Sequence, residues 1–414
     1  MEENLGKIKR ILTRIREVWL ILGVTFVLLV SMELVLSLAY FVRDRVRAAA
    51  PSTPHDWRAQ ADAYPGESWV HQYYDEFEDS SANKWVSYVY WRRKPYQGQY
   101  INVDSNGIRR TWAPDQGGRA THDRPSIFVF GGSTTWGVGA RDESTIPSFL
   151  ARKLKEKGIE CDVMNFGESG YVTTQEVIAL IRQLQKGNIP DLVIFYDGVN
   201  DVYSAYQQQL AGLPQNEFHR TQEFNLTQPG NYGTLRALFI RNAIDRLAIT
   251  RFSRGLVHRL GVGGPGSGAV AYWKATDNST AGREGLLREV LSVYEGNIRM
   301  VRVLGEAYGF ETSFYWQPTV FDKEHRTAYE ETQRQSVEGL QSFCQAVRGL
   351  VCQGNIAAEQ EGVFHDLSSI FAEVLQPVFL DWCHLSEWGN EVVAGRMAAD
   401  AAHLFNTDPV IASN

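Results

Sequence analysis

The hydrophobic residues follow two different patterns along the chain. Near the amino terminus, Val18–Val42 is an almost unbroken apolar run. At about 25 residues, the run is long enough to cross roughly 30 Å of hydrocarbon as a helix. From Ile127 onward, short apolar runs alternate with longer amphipathic stretches. The first pattern predicts one transmembrane helix, and the second predicts a parallel sheet with helices on both faces.

The second pattern can be divided into individual elements. The predicted strands are Ile127–Phe130, Cys161–Asn165, Leu192–Tyr196, Thr312–Trp316 and Val363–Leu367. The predicted helices are Ile146–Lys155, Thr174–Gln185, Arg283–Tyr308, Lys323–Arg348 and Trp388–Phe405. Together they predict a three-layer α/β/α sandwich with about five parallel strands.

The apolar run near the amino terminus contains one charged residue, Glu33. A carboxylate is costly in hydrocarbon, so we expect Glu33 to be protonated, paired or facing another helix. Basic residues before the run are Lys7, Lys9, Arg10, Arg14 and Arg16, and those after it are Arg43, Arg45 and Arg47. This excess favours an amino terminus in the cytoplasm and a catalytic domain outside it. A cleaved signal peptide is the alternative, but the length of the run favours an uncleaved, single-pass anchor.

Three regions follow from these patterns. Residues 1–47 form the cytoplasmic tail and transmembrane helix, residues 48–120 form a linker and an aromatic-rich β-layer, and residues 121–410 form the α/β domain. The aromatic side chains of the second region are expected to be the packed face of a small β-layer, or else a sugar-binding surface. Asn106-Gly107 predicts a tight hairpin turn there.

The α/β domain carries an insertion at residues 203–281. The insertion contains an amphipathic stretch, Leu235–Leu260, followed by a glycine-rich run at 261–268 that predicts a loop. Its length and composition indicate a lid or a partner surface, and the sequence leaves this choice open.

Charge and cysteine content narrow the classes of function. A net charge of −7 argues against nucleic acid as a partner. The four cysteines are too few for a disulfide scaffold and include no Cys-x-x-Cys pair. Cys344 and Cys352 are close enough in sequence either to form a disulfide in an oxidising compartment or to stay free. Cys161 and Cys383 are expected to be small buried residues.

Four polar blocks follow predicted strands or lie near the carboxyl terminus. They are Gly131–Gly137, Asn165–Tyr171, Tyr196–Asp201 and Asp381–His384. Ligands of open α/β sheets bind at the carboxyl ends of the strands, so we expect these blocks to lie close together. Each block alone also fits a helix cap, an anion-binding turn or a surface ion pair.

Acyl transfer requires a nucleophile, a base, a group that orients the base, and donors for the oxyanion. Ser133 is the candidate nucleophile, His384 the base and Asp381 the group that orients it. The backbone N–H groups of Ser133 and Gly170 and the side-chain amide of Asn200 are the candidate oxyanion donors. This chemistry requires no metal and no cofactor. His365-Asp366 is a competing base without a nucleophile block beside it.

The four blocks resemble those of the SGNH hydrolase superfamily, also called GDSL esterases and lipases. The family's serine, glycine, asparagine and histidine correspond to Ser133, Gly170, Asn200 and His384, and its Asp-x-x-His block corresponds to Asp381–His384. The resemblance implies a flavodoxin-like fold. The aspartate that usually precedes the serine is replaced by Gly132 here. The second block also leaves open whether Gly170 or Gly167 donates to the oxyanion.

The resemblance implies a serine esterase that acts through an acyl-Ser133 intermediate. The resemblance and the aromatic-rich segment together suggest an O-acylated glycan as the substrate class. Two alternatives are an O-acyltransferase that uses the same site and a catalytically silent scaffold in an envelope assembly. The natural substrate, the acyl chain length and the oligomeric state are not encoded in any pattern we recognise.

Overall fold

The computed structural model describes residues 2–48, 56–113, 124–226, 228, 230, 232–259, 280–353 and 362–407. It contains two compact units, of which the first comprises residues 1–53 and 219–271 and the second comprises residues 54–218 and 272–414. The glycine-rich run 261–268, predicted as a loop, lies outside the described residues.

A five-stranded parallel sheet forms the centre of the second unit. Its strands are β5 (Ser126–Gly131), β6 (Asp162–Asn165), β7 (Leu192–Asp197), β8 (Glu311–Trp316) and β9 (Phe364–Asp366). They lie in the order β6-β5-β7-β8-β9, and every neighbouring pair is parallel. This flavodoxin-like order confirms the predicted α/β/α fold.

Helices lie between and after these strands; those at 133–136 and 199–208 were not predicted, and the others agree with the predicted bounds to within three residues except in one region. They are α3 (Ser133–Trp136), α4 (Ile146–Glu156), α5 (Thr173–Leu184), α6 (Val199–Gln208), α10 (Thr280–Tyr308), α11 (Ala328–Ser336), α12 (Glu338–Gln353) and α13 (Glu387–Thr407). The single helix predicted over Lys323–Arg348 was wrong. The first helix starts only at Ala328, because the Thr327 side chain accepts a hydrogen bond from the Glu330 N–H. It ends before Val337, whose φ of −127° and ψ of 26° are not helical, and a second helix follows.

The direction in which strands are added across the sheet reverses at β5. The chain passes from β5 to the edge strand β6 on one side and then to β7 on the other side. Right-handed crossovers therefore put α4 and α5 on opposite faces of the sheet. Helix α4 packs with α13, whereas α5 packs with α10. The gap between the carboxyl ends of β5 and β7 is the position where ligands bind in such sheets.

The main core lies between the sheet and its helices. Strand β7 is buried along its whole length. Across the sheet, the ring of Phe195 stacks with Phe130 at 5.2 Å and with Phe314 at 5.4 Å between centroids. These strands are apolar on both sides, as expected for a parallel sheet that helices cover on both faces.

The aromatic-rich segment differs from the predicted β-layer. It contains helix α2 (Val70–Asp79), the hairpin of β1 (Asn83–Val86) with β2 (Tyr90–Arg93), and the pair β3 (Tyr96–Gln97) with β4 (Asn102–Val103). The most deeply buried of its rings lie at or on α2, where Tyr73 and Tyr74 pack with Trp136 and Leu380 in a second core cluster. The predicted turn is present, since Gly107 has a φ of 85° and its N–H donates to Asp104 O.

The first unit contains the long helix α1 (Glu2–Ala48) and the inserted helices α8 (Tyr232–Arg246) and α9 (Ala248–Arg259). Helix α7 (Glu217–Leu226) precedes them. Within α1, residues Leu12–Arg45 are long and apolar enough to cross a membrane. The amphipathic stretch identified at Leu235–Leu260 lies in these two inserted helices as far as Arg259.

The disulfide considered for Cys344 and Cys352 does not form. Both residues lie on α12, and both thiols are free. Eight residues of helix separate them by about 12 Å along its axis, which exceeds the Cα separation that a disulfide can bridge.

Candidate active site

Ser133, His384 and Asp381 form a continuous hydrogen-bonded chain. His384 Nε2 lies 2.7 Å from Ser133 Oγ, and His384 Nδ1 lies 2.6 Å from Asp381 Oδ2. Residues 133 and 384 come from distant parts of the sequence and meet at the carboxyl edge of the sheet. The three side chains have the geometry of a nucleophile, a base and an orienting carboxylate.

Asp381 is buried but well supplied with hydrogen-bond donors. Its Oδ1 accepts the backbone N–H groups of Cys383 at 3.0 Å and His384 at 2.8 Å. Arg58 Nη1 lies 3.4 Å from its Oδ2. Burial acts to raise the pKa of Asp381, but the charge and hydrogen bond of His384, aided by Arg58, hold that pKa well below its usual range. Asp381 is therefore a stable anion that can balance an imidazolium on His384.

The two glycines before Ser133 are required by close packing. Gly131 has a φ of 155°, and a Cβ there would lie 2.4 Å from Tyr196 O. A Cβ on Gly132 would lie 2.1 Å from Asn200 Nδ2. The pair therefore allows β5 to turn directly into α3 and to bring the Asn200 amide beside Ser133.

A buried arginine holds the chain that follows Ser133. Arg109 Nη1 donates to Trp136 O at 3.0 Å and to Gly137 O at 2.6 Å, and its Nη2 donates to Ala140 O at 2.6 Å. Its Nε bonds to Asp142 at 3.0 Å. These bonds satisfy carbonyls at the end of α3 and fix the position of the segment that follows Ser133.

The candidate oxyanion donors lie around the same turn. Ser133 is the first residue of α3, so its N–H has no partner inside that helix. Asn200 Oδ1 accepts a hydrogen bond from Gln215 Nε2 at 3.2 Å, which directs the amide nitrogen toward Gly132. Gly167 donates its N–H to Asn165 Oδ1, which favours Gly170 over Gly167 as the other donor. The oxyanion roles of these residues stay predictions.

The competing histidine has other contacts. His365 stacks on Tyr315, with 4.6 Å between ring centroids, and its Nδ1 lies 3.6 Å from Asp400 Oδ2. Burial lowers its pKa. Cys383 is buried too, and burial raises the pKa of its thiol well above the ordinary value, so it is not an activated nucleophile.

Asp381, Cys383 and His384 are also the group in the site that could hold a metal ion, because their ligand atoms lie within 4.8 Å of one another. Both ring nitrogens of His384 already have partners, Asp381 and Ser133. The arrangement therefore fits acyl transfer better than metal binding.

Three buried carboxyl groups, those of Glu176, Asp197 and Asp201, interact with one another, and Asp201 directly follows Asn200 in the chain. Thr173 Oγ1 donates to Asp201 at 2.8 Å, and Tyr294 donates to Asp197 at 2.7 Å. Both carboxylate oxygens of Glu176 are buried without a hydrogen-bond partner in the described part of the chain. Burial, and then mutual repulsion, raises the pKa of Glu176 and Asp197. This cluster therefore holds protons at pH values where exposed carboxyl groups are ionised.

Residues 127–249 match the family model of the GDSL-like lipase/acylhydrolases. This segment is therefore similar to the family that the four motifs predicted. The chain accordingly carries a GDSL-type ester hydrolase domain, as the sequence motifs predicted. The matched segment includes Ser133, Gly170 and Asn200 but ends before Asp381 and His384.

Solved structures similar to this GDSL domain include several esterases. The acetyl xylan esterase AlAXEase is 14% identical over 66% of this chain and 98% of its own, with a TM-score of 0.34. Axe2, an acetylxylan esterase from Geobacillus stearothermophilus, is 14% identical over 68% and 96%, with a TM-score of 0.32. AlinE4, an SGNH-hydrolase family esterase, is 27% identical over 20% and 45%, with a TM-score of 0.19. No curated protein matches the chain.

Three residues of the GDSL domain site were missed in the sequence. Arg58 lies in a 3-10 helix, Trp57–Gln60, within the stretch predicted as a linker. Arg109 was assigned only to a hairpin, and Gln215 only to the insertion. The other residues of the site were located because they belong to polar blocks near strand ends. None of these three does, so that signal could not locate them.

Proposed function

We propose that the GDSL domain hydrolyses carboxylic esters through an acyl-Ser133 intermediate. His384 Nε2 takes the proton from Ser133 Oγ as this oxygen attacks the carbonyl carbon of the ester. The alcohol oxygen then leaves and receives that proton from His384. Water, deprotonated by His384, attacks the acyl carbon; the bond to Ser133 Oγ then breaks, Oγ regains the proton from His384, and the acid is released. The observation that carries the proposal is the chain of 2.7 and 2.6 Å contacts linking Ser133, His384 and Asp381.

The negative charge of each tetrahedral intermediate would lie on the former carbonyl oxygen. We assign its stabilisation to the N–H groups of Ser133 and Gly170 and to the Asn200 amide. Each donor of this kind is worth about 3–4 kcal/mol of barrier. The hydrogen bond from Gln215 supports this role for Asn200, because it fixes which end of the amide faces the serine.

Turnover of p-nitrophenyl acetate by the full chain in detergent tests the mechanism. We expect Ser133→Ala and His384→Ala each to reduce kcat by several orders of magnitude, while His365→Ala keeps its activity. Activity that survives Ser133→Ala would contradict the mechanism. Trapping the acyl group on intact Ser133 by mass spectrometry after an acid quench provides an independent measurement.

We further propose that the natural ester is an O-acyl group on a glycan. The ring of Trp85 is 68% exposed and stacks on Tyr90 at 5.1 Å between centroids. Tyr90 OH donates to Glu217, two residues after Gln215. An exposed flat ring near the segment that holds the oxyanion amide is suited to stacking against a sugar face. Tyr73 and Tyr74 are buried, and so they cannot contribute to such a surface.

The substrate class can be tested with one variant and two substrates. We expect Trp85→Ala to raise KM several-fold for acetylated xylo-oligosaccharides and to leave KM for p-nitrophenyl acetate unchanged. An equal effect on both substrates would contradict a sugar-stacking role. Adding an unacylated oligosaccharide to the same reaction distinguishes the O-acyltransferase, because acyl transfer to the sugar would then exceed hydrolysis.

We also propose that α1 anchors the chain, with its amino terminus in the cytoplasm and the GDSL domain outside. The support is the apolar segment Leu12–Arg45 and the larger number of basic residues before it. A reporter fused after Asn414 should be active only outside the cytoplasm. Recovery of the chain in the supernatant after alkaline carbonate extraction would contradict the anchor.

A further inference from the structure

One face of the apolar helix α1 is covered within its own unit. From Leu12 to Arg45 the side chains are exposed except those of Glu33, Leu36 and Tyr40, which are partly buried. This spacing of three and four residues defines one face of a helix. Helix α9 packs against α1, and Arg251 of α9 lies 4.5 Å from the ring centroid of Tyr40.

Glu33 binds the start of α9 through its carboxylate. Glu33 Oε1 accepts the Ala248 N–H at 2.7 Å, and Glu33 Oε2 accepts the Ile249 N–H at 3.0 Å. A helix start has N–H groups without partners, and each is costly in hydrocarbon. An unpaired carboxylate is costly there too. The contact removes both costs, so it accounts for the one charge inside the apolar run.

The position of this contact along α1 sets a depth. Arg16 and Arg43 are separated by about 40 Å of helix, close to the thickness of a bilayer with its headgroups. If the two arginines lie in opposite headgroup layers, Tyr40 lies near the outer edge of the hydrocarbon. Glu33 then lies about 10 Å deeper in the hydrocarbon, which is the greatest depth that the apolar faces of interfacial helices reach.

The side chains of α9 are divided in the way that this depth requires. Phe252 is 50% exposed and Leu256 is 48% exposed, and the two are one helical turn apart on the same side. Arg251 and Arg254 lie on the other side of the helix. Arg251 contacts Tyr40 of α1, and Arg254 pairs with Asp245. An apolar face for acyl chains with charged side chains on the other side is a feature of a helix that lies in a membrane interface.

We propose that α9 is an interfacial membrane helix, held at the outer leaflet by Glu33, with Phe252 and Leu256 among the lipid acyl chains. The inserted segment is then a lipid-binding part of the chain, which resolves the choice between a lid and a partner surface. The proposal rests on the anchoring by α1 proposed above. Its partner is the lipid bilayer itself, because α9 is continuous with the membrane-spanning surface of α1.

Spin labels on the full chain in phosphatidylcholine nanodiscs test this placement. Cys352→Ser provides the background, since the other three cysteines are buried. We expect labels at Phe252→Cys and Leu256→Cys to be accessible to oxygen and protected from a water-soluble nickel chelate. The matched control, Arg254→Cys on the opposite side of α9, should be accessible to the nickel chelate.

A label at Leu28→Cys separates failure of this proposal from failure of the anchor. Nickel accessibility at Phe252→Cys, with lipid accessibility at Leu28→Cys, would overturn the interfacial helix and leave the anchor standing. Nickel accessibility at Leu28→Cys would overturn both. Protection of Phe252→Cys from both reagents would also overturn the proposal, because it would mean that protein covers this face.

The Glu33 contact has its own test. We expect Glu33→Ala to increase amide hydrogen exchange at Ala248 and Ile249 by at least about tenfold, because hydrogen bonds to a charged acceptor are lost. Glu17→Ala on the same helix is the control and should change neither amide. Unchanged exchange in Glu33→Ala would show that the carboxylate does not hold α9.

Discussion

Replacing Gly132 by alanine should damage catalysis through the Asn200 amide without disturbing the triad. Gly132 has a negative φ of −81° in extended backbone, so the strain of a left-handed φ does not arise when alanine replaces it. The added Cβ would lie 2.1 Å from Asn200 Nδ2, where an ordinary contact begins at 3.4 Å. The amide must therefore move by about 1.3 Å, enough to break a hydrogen bond to the oxyanion.

The size of the effect follows from the loss of that one donor. Loss of a single oxyanion donor lowers kcat by about 10²–10³, or roughly 3–4 kcal/mol of barrier. We expect this reduction in kcat for p-nitrophenyl acetate, with little change in KM and with the thermal unfolding midpoint close to that of the native chain. Asn200→Ala should show a similar loss.

The double variant makes the test decisive. If Gly132→Ala acts only through Asn200, Gly132→Ala/Asn200→Ala should be no slower than Asn200→Ala alone. Gly395→Ala is the matched control, because a Cβ there meets nothing within 4 Å. Native kcat in Gly132→Ala, or a double variant in which the two losses multiply, would refute the reasoning.

Three further predictions concern charged and buried side chains of the second unit. Arg58→Ala should lower kcat about tenfold with KM unchanged, because Asp381 loses a nearby positive charge. Arg58→Lys should restore part of the lost activity. Equal rates in the native chain and both variants would contradict this role. Burial raises the pKa of Asp197 to about 8, so the folded state binds a proton that the unfolded state releases. Stability should therefore fall as pH rises from about 4 to about 8, and urea unfolding of Asp197→Asn should show a shallower decline. Glu330 and Lys323 form a wholly buried ion pair, and Glu330 also accepts the N–H groups of Val378 and Phe379. Glu330→Ala should lower the free energy of unfolding by about 3–5 kcal/mol, because Lys323 stays buried without its partner. The double variant Lys323→Met/Glu330→Gln should recover much of that loss. An unchanged urea midpoint in Glu330→Ala would refute a role of the ion pair in stability.

The sheet was predictable because its evidence is local. Each strand is a short apolar run bounded by glycine or polar residues, and burial on both sides removes any need for alternation. The observed bounds of β5 and β7 therefore differ from the predicted ones by one residue at most at either end. The helix predicted over Lys323–Arg348 was wrong at its start, where Thr327 caps a helix that begins at Ala328, and at Val337, where the backbone leaves the helical conformation despite continuous periodicity.

The residues of the candidate site also divide into those with a local sequence signal and those without one. Ser133, Asn200 and His384 were identifiable because their blocks follow glycine turns or form an Asp-x-x-His spacing, and both signals are short-range. Arg58 and Arg109 were not, because a guanidinium on a long side chain acts at a position fixed by distant packing. Arg58 is separated from Asp381 by 323 residues, and no local pattern records that contact.

Glu33 shows the division most clearly. The sequence by itself determined that a carboxylate stands inside an apolar helix and needs a partner, because hydrocarbon penalises an isolated charge whatever the fold. Only the tertiary structure decided that this partner is the amino-terminal turn of a helix more than two hundred residues away. Likewise, the sequence indicated which residue types fit acyl transfer, and only the tertiary structure brought Ser133 and His384 within hydrogen-bond distance. Local patterns record what a residue requires, and packing between distant segments determines how that requirement is met.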